Sequence, residues 1–215
     1  MIVYHAKEFE DSEPRAHPWS TAISNQEQKY VDFKASPKSI RTALEDLIPF
    51  ENEKFTQKFY TLLEWLNSPK CSFESNDCSF LGPHANDTDY QFNYKLKCSG
   101  RLMILFRDIE ENTQSPSIEW LLKSLNSSLR LVKPGFKAGA IGLSEMKTVY
   151  MQLDDRPKMG GLGKQVMFSM FAYGKNKNKC FDNMETVMDC LDSAIRSVDK
   201  KVNSGELRNM YDSAH

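Results

Sequence analysis

The fold is decided by residues 90–106, which read YQFNYKLKCSGRLMILF. Over residues 90–98 apolar and polar side chains alternate strictly, which is typical of a β-strand with one face in water. Ser99 and Gly100 then separate this segment from residues 102–106, a run that is apolar on both faces and favours a central strand. The stretch therefore predicts a β-hairpin that contributes to the core of a sheet.

The sequence downstream of this hairpin predicts helices that cover the sheet. A helical stripe of apolar residues follows Ser115 and Pro116, and a second stripe follows Asp182, which with Glu185 resembles a capping box. Three strand-like runs lie between the two helices, at residues 138–143, 148–153 and 165–173. We expect an α+β fold in which two helices cover a mostly antiparallel sheet of five or six strands.

Upstream of the hairpin, the sequence predicts a short strand, an irregular segment and a helical hairpin within residues 1–69, since two apolar helical stripes end at Pro49 and near Pro69. Residues 70–89 are rich in Ser, Asn, Asp, Gly and Pro and predict a long loop. The sheet and its two covering helices then occupy residues 90–203, and residues 204–215 form a frayed tail. We expect residues 1–215 to be a single domain.

Composition places the chain among ordinary globular proteins, with 215 residues of which 40% are hydrophobic and 27% charged. The net charge of -1 gives no overall attraction to nucleic acid or to an acidic membrane. We expect no signal peptide, because the first residues have no basic start, no long apolar run and no small-residue cleavage site. We expect no membrane span, because apolar runs of about 18 residues are absent. The five cysteines are an odd number at irregular spacings, which indicates free thiols and a cytoplasmic location.

No catalytic motif stands out, since the four histidines are far apart and no serine lies in a Gly-x-Ser-x-Gly pattern. We therefore expect a non-enzymatic intracellular protein that binds another macromolecule, with a protein partner favoured, no cofactor and no metal site. The oligomeric state is left open.

The segment 73–84 is the first candidate for a binding site, because it mixes polar side chains with apolar anchors. Its candidate residues are Asn76, Asp77, Cys78 and His84. In the competing interpretation Asn76 and Asp77 only satisfy turn amides, and Cys78 is a small apolar plug.

A metal-dependent phosphoesterase or nuclease is the first alternative function. Acidic residues follow or precede predicted strands, where carboxylates converging in space can hold Mg²⁺. The candidate catalytic residues are Asp87, Asp89, Asp108, Glu145 and Lys147. Residues 145–147 match the acidic-x-lysine part of a nuclease site, and residues 27–29 match it equally well.

A nucleic-acid-binding module is the second alternative. Between residues 156 and 180 every charged side chain is basic, with aromatic residues in between, so this stretch is suited to phosphate contacts without sequence readout. The basic residues are Arg156, Lys158, Lys164, Lys175, Lys177 and Lys179. In the competing interpretation they are solvated lysines of two loops.

Overall fold

A computed structural model describes residues 1–5, 15–17, 20–21, 29–30, 33–86, 93–150 and 162–212. The chain has a mixed α+β fold with a mostly antiparallel sheet and several helices. Within the described residues the strands are β1 (Ile2–His5), β2 (Arg15–His17), β3 (Ser20–Thr21), β4 (Lys29–Tyr30), β5 (Phe73–Ala85), β6 (Leu96–Phe106), β7 (Gly139–Tyr150) and β8 (Leu162–Gly174). The helices are α1 (Ile40–Ala43), α2 (Lys54–Leu66), α3 (Ser115–Leu131), α4 (Lys177–Asn203) and α5 (Glu206–Asp212), and 3₁₀ turns form at Pro37–Ser39, Glu45–Phe50 and Ile109–Thr113.

In the main sheet five strands lie in the order β1-β7-β8-β6-β5, and the short β2 joins it as a sixth strand by pairing with β7. The pairs β5–β6, β6–β8 and β7–β8 are antiparallel, whereas β1 and the short β2 run parallel to β7. Because β8 lies between β6 and β7, the connection from β6 to β7, which contains α3, passes the position of β8. The pairing of β7 with β8 then brings the chain back to the centre of the sheet. A separate two-stranded sheet joins β3 to β4.

The strand register assigns most of the buried apolar side chains to one face of the sheet, which we call the core face. Leu102 pairs with Phe168, and Phe168 pairs with Leu143, so these side chains lie in one row across three strands. All three are fully buried in a cluster that also contains Leu121 of α3 and Leu191 of α4. Removal of this apolar surface from water is the main force that holds the helices against the sheet.

Each long helix begins where the sequence supplies a start signal. Pro116 occupies the first turn of α3, where its missing N–H costs no hydrogen bond. The side chain of Asn176 accepts a hydrogen bond from the Lys179 N–H at 2.9 Å and caps α4. Among the helices that the structure describes, none is both long and apolar enough to cross a membrane.

The predicted loop at residues 70–89 is wrong over residues 73–85, which form β5. Two β-bulges interrupt its pairing with β6, between Ser75 and Cys78 and between Leu81 and His84. Each bulge shifts the side chains that follow to the other face, so the apolar residues lose the period of two that identifies a strand. The polar composition of a bulged strand therefore looks like that of a loop.

The predicted turn at Ser99 and Gly100 is also wrong, because β6 runs straight through both residues. A Cβ atom at Gly100 would lie 3.1 Å from Met170 Cε, so the glycine serves close packing and not a turn. Likewise residues 139–150 form one continuous strand where two were predicted. Residues 90–92 and 151–153 of the predicted strands lie outside the described residues.

Three predicted helix limits are corrected as well. The single helix predicted across residues 37–48 is divided, because Leu44 leaves the helical region with φ -96° and ψ 75°. Helix α4 begins at Lys177, before the predicted start at Asp182, since Asn176 provides the cap. Residues 206–212 of the predicted tail form α5, whose Leu207 is buried in the core cluster.

Candidate functional site

The face of the sheet opposite the core face carries a different set of side chains. We call its half-exposed part the open half-face, and the register arranges it in three rows across β8, β6 and β5. The rows are Tyr173, Lys97 and His84; then Phe171, Ser99 and Leu81; then Ser169, Arg101 and Ser79. Most of these side chains are half-buried, and Leu81 is 58% exposed.

A groove with a volume of about 490 Å³ runs over the open half-face. Its lining combines the hydroxyls of three serines with apolar side chains and one arginine: Ser79, Phe80, Leu81, Ser99, Gly100, Arg101, Met167, Ser169 and Phe171. On the β7 side the ring of Tyr4 covers Gly142, where a Cβ atom would lie 2.6 Å from the ring. The small residues form the floor of the groove, and the larger side chains form its walls.

The β5 edge of the sheet next to this groove is closed. The N–H of Phe80 points outward and donates to Asp46 Oδ2 at 2.9 Å. The ring of Phe50 packs edge-on against the ring of Phe80, with 5.3 Å between centroids. Because the 3₁₀ turn Glu45–Phe50 occupies this edge, a partner strand cannot pair with β5 there, and only the face of the sheet is accessible.

Below the third row the same face is buried and carries a small apolar cluster of Met103, Met146 and Met167. Beside this cluster lies a buried polar layer, formed by Glu74, Asn76, Asp77, Ser144 and Gln165. The Asn76 side-chain amide reaches across the sheet and donates to Gln165 Oε1 at 2.9 Å. Arg101 pairs with Asp77 at 2.9 Å, and Lys34 pairs with Glu74. These pairs neutralise two carboxylates that are almost fully buried, which is the condition under which buried charges are tolerated.

Some atoms of the polar layer have no hydrogen-bond partner among the described residues: Asn76 Oδ1, Ser144 Oγ and Gln165 Nε2. Their side chains are at most 1% exposed. Buried polar atoms usually have hydrogen-bond partners. Among the described residues, this layer is therefore the most polar part of the second face and the part with the most buried polar atoms that lack such a partner.

The predicted binding segment 73–84 is thus part of the sheet, and its four candidate residues do not converge. Asn76 and Asp77 belong to the polar layer, and His84 Nδ1 lies 2.8 Å from the Gly82 carbonyl oxygen. Cys78 lies on the core face in the main cluster, and its burial raises the pKa of its thiol. A raised pKa keeps the thiol protonated and unreactive.

The predicted catalytic residues lie at several places on the sheet. Asp108 accepts a hydrogen bond from the Glu110 N–H and caps the 3₁₀ turn that follows β6. Glu145 lies in mid-β7, where it pairs with Lys164 at 2.6 Å, and Lys147 is exposed. Asp87 and Asp89 lie outside the described residues. In the described part of the chain, no three His, Cys, Asp or Glu side chains are grouped so that they could hold a metal ion.

The basic residues of the stretch 156–179 are also distributed over separate elements. Lys164 is held by Glu145, Lys177 and Lys179 lie in the first turn of α4, and Lys175 follows the end of β8. Arg156 and Lys158 lie outside the described residues. Of the predicted basic residues, Lys175 is the one that the register brings to the end of the open half-face.

Sequence reasoning did not identify Phe171, Ser99 or Arg101 as site residues, and it included Leu81 only as part of the candidate segment 73–84. Comparison of the chain with protein-family models, with curated proteins and with solved structures finds no match. Any statement about function therefore depends on the geometry of the open half-face.

Proposed function

We propose that the protein is a non-enzymatic binding protein that holds a segment of a partner protein on the open half-face. In this proposal α3 and α4 cover the core face of the sheet, and the helical hairpin within residues 37–66 protects its β5 edge. The second face is then left for the partner. A cytoplasmic location is part of the proposal, because all five cysteines are free and buried, as expected in a reducing compartment.

The observation that carries the proposal is the exposure of Leu81. It lies within a strand, beside a groove, and 58% of its surface is in water, whereas the apolar side chains of the core face are buried. Leu81 and Phe171 line the same groove beside polar side chains, and an apolar patch with a polar rim is typical of a protein interaction surface. The groove lies open along the sheet, which suits a segment of chain better than a small molecule that must be enclosed.

The magnitude of the Leu81 contribution follows from its exposure. Full burial of a leucine side chain stabilises by about 1.5–3 kcal/mol, and somewhat more than half of the Leu81 surface remains to be buried by a partner. Removal of the side chain should therefore cost about 1–1.5 kcal/mol of binding free energy, which is roughly a tenfold loss of affinity.

A selection of random displayed peptides on the immobilised whole chain tests the proposal. Selected peptides should bind Leu81→Ser about tenfold more weakly than the wild type. Leu131→Ser is the matched control, because Leu131 is 82% exposed at the end of α3 and lies outside the groove. The proposal fails if no peptide is enriched, or if Leu81→Ser binds the selected peptides as tightly as the wild type does.

A further inference from the structure

A second cavity lies at the end of the sheet where β6 stops, and we call it the end cavity. Its volume is about 360 Å³, which is within the range of pockets that hold small molecules. The end of β6, the 3₁₀ turn Ile109–Thr113, the last turn of α4 and the start of α5 form its walls. Among the described residues, none that lines the end cavity also lines the groove. The end cavity is therefore independent of the binding surface proposed above.

Arg107 provides a fixed cation on one wall of the end cavity. Its Nε donates to the Cys71 carbonyl oxygen at 3.0 Å, and its Nη2 donates to those of Leu66 and Ser68 at 3.1 and 2.8 Å. These acceptors are uncharged, and within the described part of the chain Arg107 forms no ion pair and its Nη1 has no hydrogen-bond partner. Because the guanidinium is already held in place, its Nη1 can bind an anion with little further loss of side-chain entropy.

Arg208 provides a second cation at the same cavity. It is exposed, and its guanidinium forms no hydrogen bond or ion pair with any residue that the structure describes. Gly205, with φ 86°, lets the chain turn from α4 into α5, and Leu207 is buried in the core cluster, so the backbone of Arg208 is fixed beside the cavity. Two arginines suit a carboxylate, because both of its oxygen atoms accept hydrogen bonds from guanidinium groups.

The end cavity carries negative charge as well. Asp108 Oδ1 accepts a backbone hydrogen bond at 3.2 Å, whereas its Oδ2 has no partner among the described residues. Glu111 is engaged by the Ser117 hydroxyl, and the buried Asp199 carboxylate accepts from the Ser72 N–H at 2.7 Å. The carbonyl end of α4 adds a partial negative charge. A simple anion would be repelled by these groups, and a simple cation would be repelled by the arginines.

Apolar side chains form the remaining wall of the end cavity. They are Phe106, Val202 and Leu207, and we call them the apolar wall. Phe106 and Leu207 are only 2% and 4% exposed, so both are held firmly by the core. A ligand that fits this cavity therefore combines an apolar group with charges of both signs.

We propose that the end cavity binds a small zwitterion, an α-amino acid with an apolar side chain. Its carboxylate accepts hydrogen bonds from Arg107 Nη1 and from Arg208, its ammonium group donates to Asp108 Oδ2, and its side chain lies against the apolar wall. In the described residues no ion pair joins Asp108 to either arginine, so both signs border the cavity without neutralising each other. A zwitterion complements both at once and leaves the net charge of the cavity unchanged.

Isothermal titration calorimetry of the whole chain with leucine and with phenylalanine measures the affinity. Two truncated forms of the amino acid that binds more tightly then test its two charges. One is the carboxylic acid that lacks the amino group, and the other is the amine that lacks the carboxylate. Each should bind at least about tenfold more weakly than the complete amino acid, because each loses its charge-assisted hydrogen bonds at one end.

Variants of the cavity locate the site. Arg208→Ala and Asp108→Asn should each weaken binding at least about tenfold. Both should keep the fold, since Arg208 is exposed and asparagine retains the oxygen atom that caps the 3₁₀ turn. The matched controls, Lys200→Ala in α4 and Glu110→Gln in the same 3₁₀ turn, remove exposed charges outside the cavity and should change affinity less than about twofold.

The inference is overturned if neither amino acid binds at about 10 mM. It is also overturned by a truncated ligand that binds as tightly as the amino acid, or by wild-type affinity in Arg208→Ala or in Asp108→Asn. Leu81→Ser should leave amino-acid affinity unchanged, because Leu81 lines the groove and not the end cavity. A loss of amino-acid affinity in Leu81→Ser would place the ligand in the groove and overturn the inference, whereas peptide binding to the groove is measured separately.

Discussion

Replacement of Asn112 by alanine tests how β6 is terminated. The side chain of Asn112 is fully buried and imitates a neighbouring strand: its Oδ1 accepts from the Phe106 N–H at 2.8 Å, and its Nδ2 donates to the Phe106 carbonyl oxygen at 2.7 Å. Alanine leaves a buried donor and a buried acceptor unpaired, and each costs about 1–3 kcal/mol. We expect Asn112→Ala to lower the free energy of unfolding by about 3 kcal/mol, out of a total of about 5–15 kcal/mol.

Urea unfolding, followed by tryptophan fluorescence and by far-ultraviolet circular dichroism, measures this loss. The midpoint should fall while the slope stays constant, since the surface exposed on unfolding is unchanged. Thr113→Ala is the control, because Thr113 lies in the same 3₁₀ turn but is exposed, and its replacement should change stability by less than about 0.5 kcal/mol. A loss below about 1 kcal/mol for Asn112→Ala would refute the reasoning, because the Phe106 groups would then be satisfied without it.

Two further predictions concern the junction of α2 with the sheet and the buried thiols. The Arg107 guanidinium donates hydrogen bonds to the carbonyl oxygens of Leu66, Ser68 and Cys71 at 3.1, 2.8 and 3.0 Å. Because the ammonium group of lysine lacks this planar set of donors, Arg107→Lys should lower the free energy of unfolding by about 2 kcal/mol, which urea unfolding measures. Burial raises the pKa of Cys71 from 9.0 to about 12, so the folded protein keeps a proton that the unfolded chain releases above pH 9. The contribution of Cys71 to stability is present below pH 9 and is lost as the pH rises towards 12, by about 1 kcal/mol per pH unit. Because burial raises the pKa of the other four thiols as well, this share is measured as the difference in unfolding free energy between the wild type and Cys71→Ala at a series of alkaline pH values.

The long amphipathic helices and the most apolar strands could be predicted from the sequence. In α3 and α4 the apolar residues recur at helical spacing over four or more turns, and helices of this length bury one face whatever their partners are. The central strand β8 has an apolar run that is buried in the sheet, and it was predicted within a few residues of its limits. The pattern of apolar residues within each of these elements is enough to identify it, so they could be predicted without knowledge of their tertiary contacts.

β5 could not be predicted in this way, because its identity depends on the strand beside it. The bulges near Asn76 and Gly82 break the alternation. Polar side chains at the first bulge have partners from distant segments, such as Gln165 for Asn76. A polar residue in such a position has the same appearance in sequence as a residue of a turn. The partner that makes the position favourable is specified only by the tertiary fold.

The open half-face is hidden from sequence reasoning for a related reason. Leu81, Phe171 and Ser99 are separated by many residues, and they share one row only because two antiparallel ladders have a particular register. A slip of one residue in either ladder would exchange the two faces and place Leu81 in the core.

The serines of the groove support the binding function that we propose for this surface. Ser79, Ser99 and Ser169 occupy half-buried mid-strand positions, where a β-branched side chain would pack against its neighbours and favour the strand. Larger residues there would raise stability and would also fill the space between Phe171 and Leu81. Proteins retain such less stable choices where function requires them. The small side chains and the exposed leucine are thus two parts of one surface, since a groove without an apolar wall, or an apolar wall without a groove, would not hold a side chain of a partner.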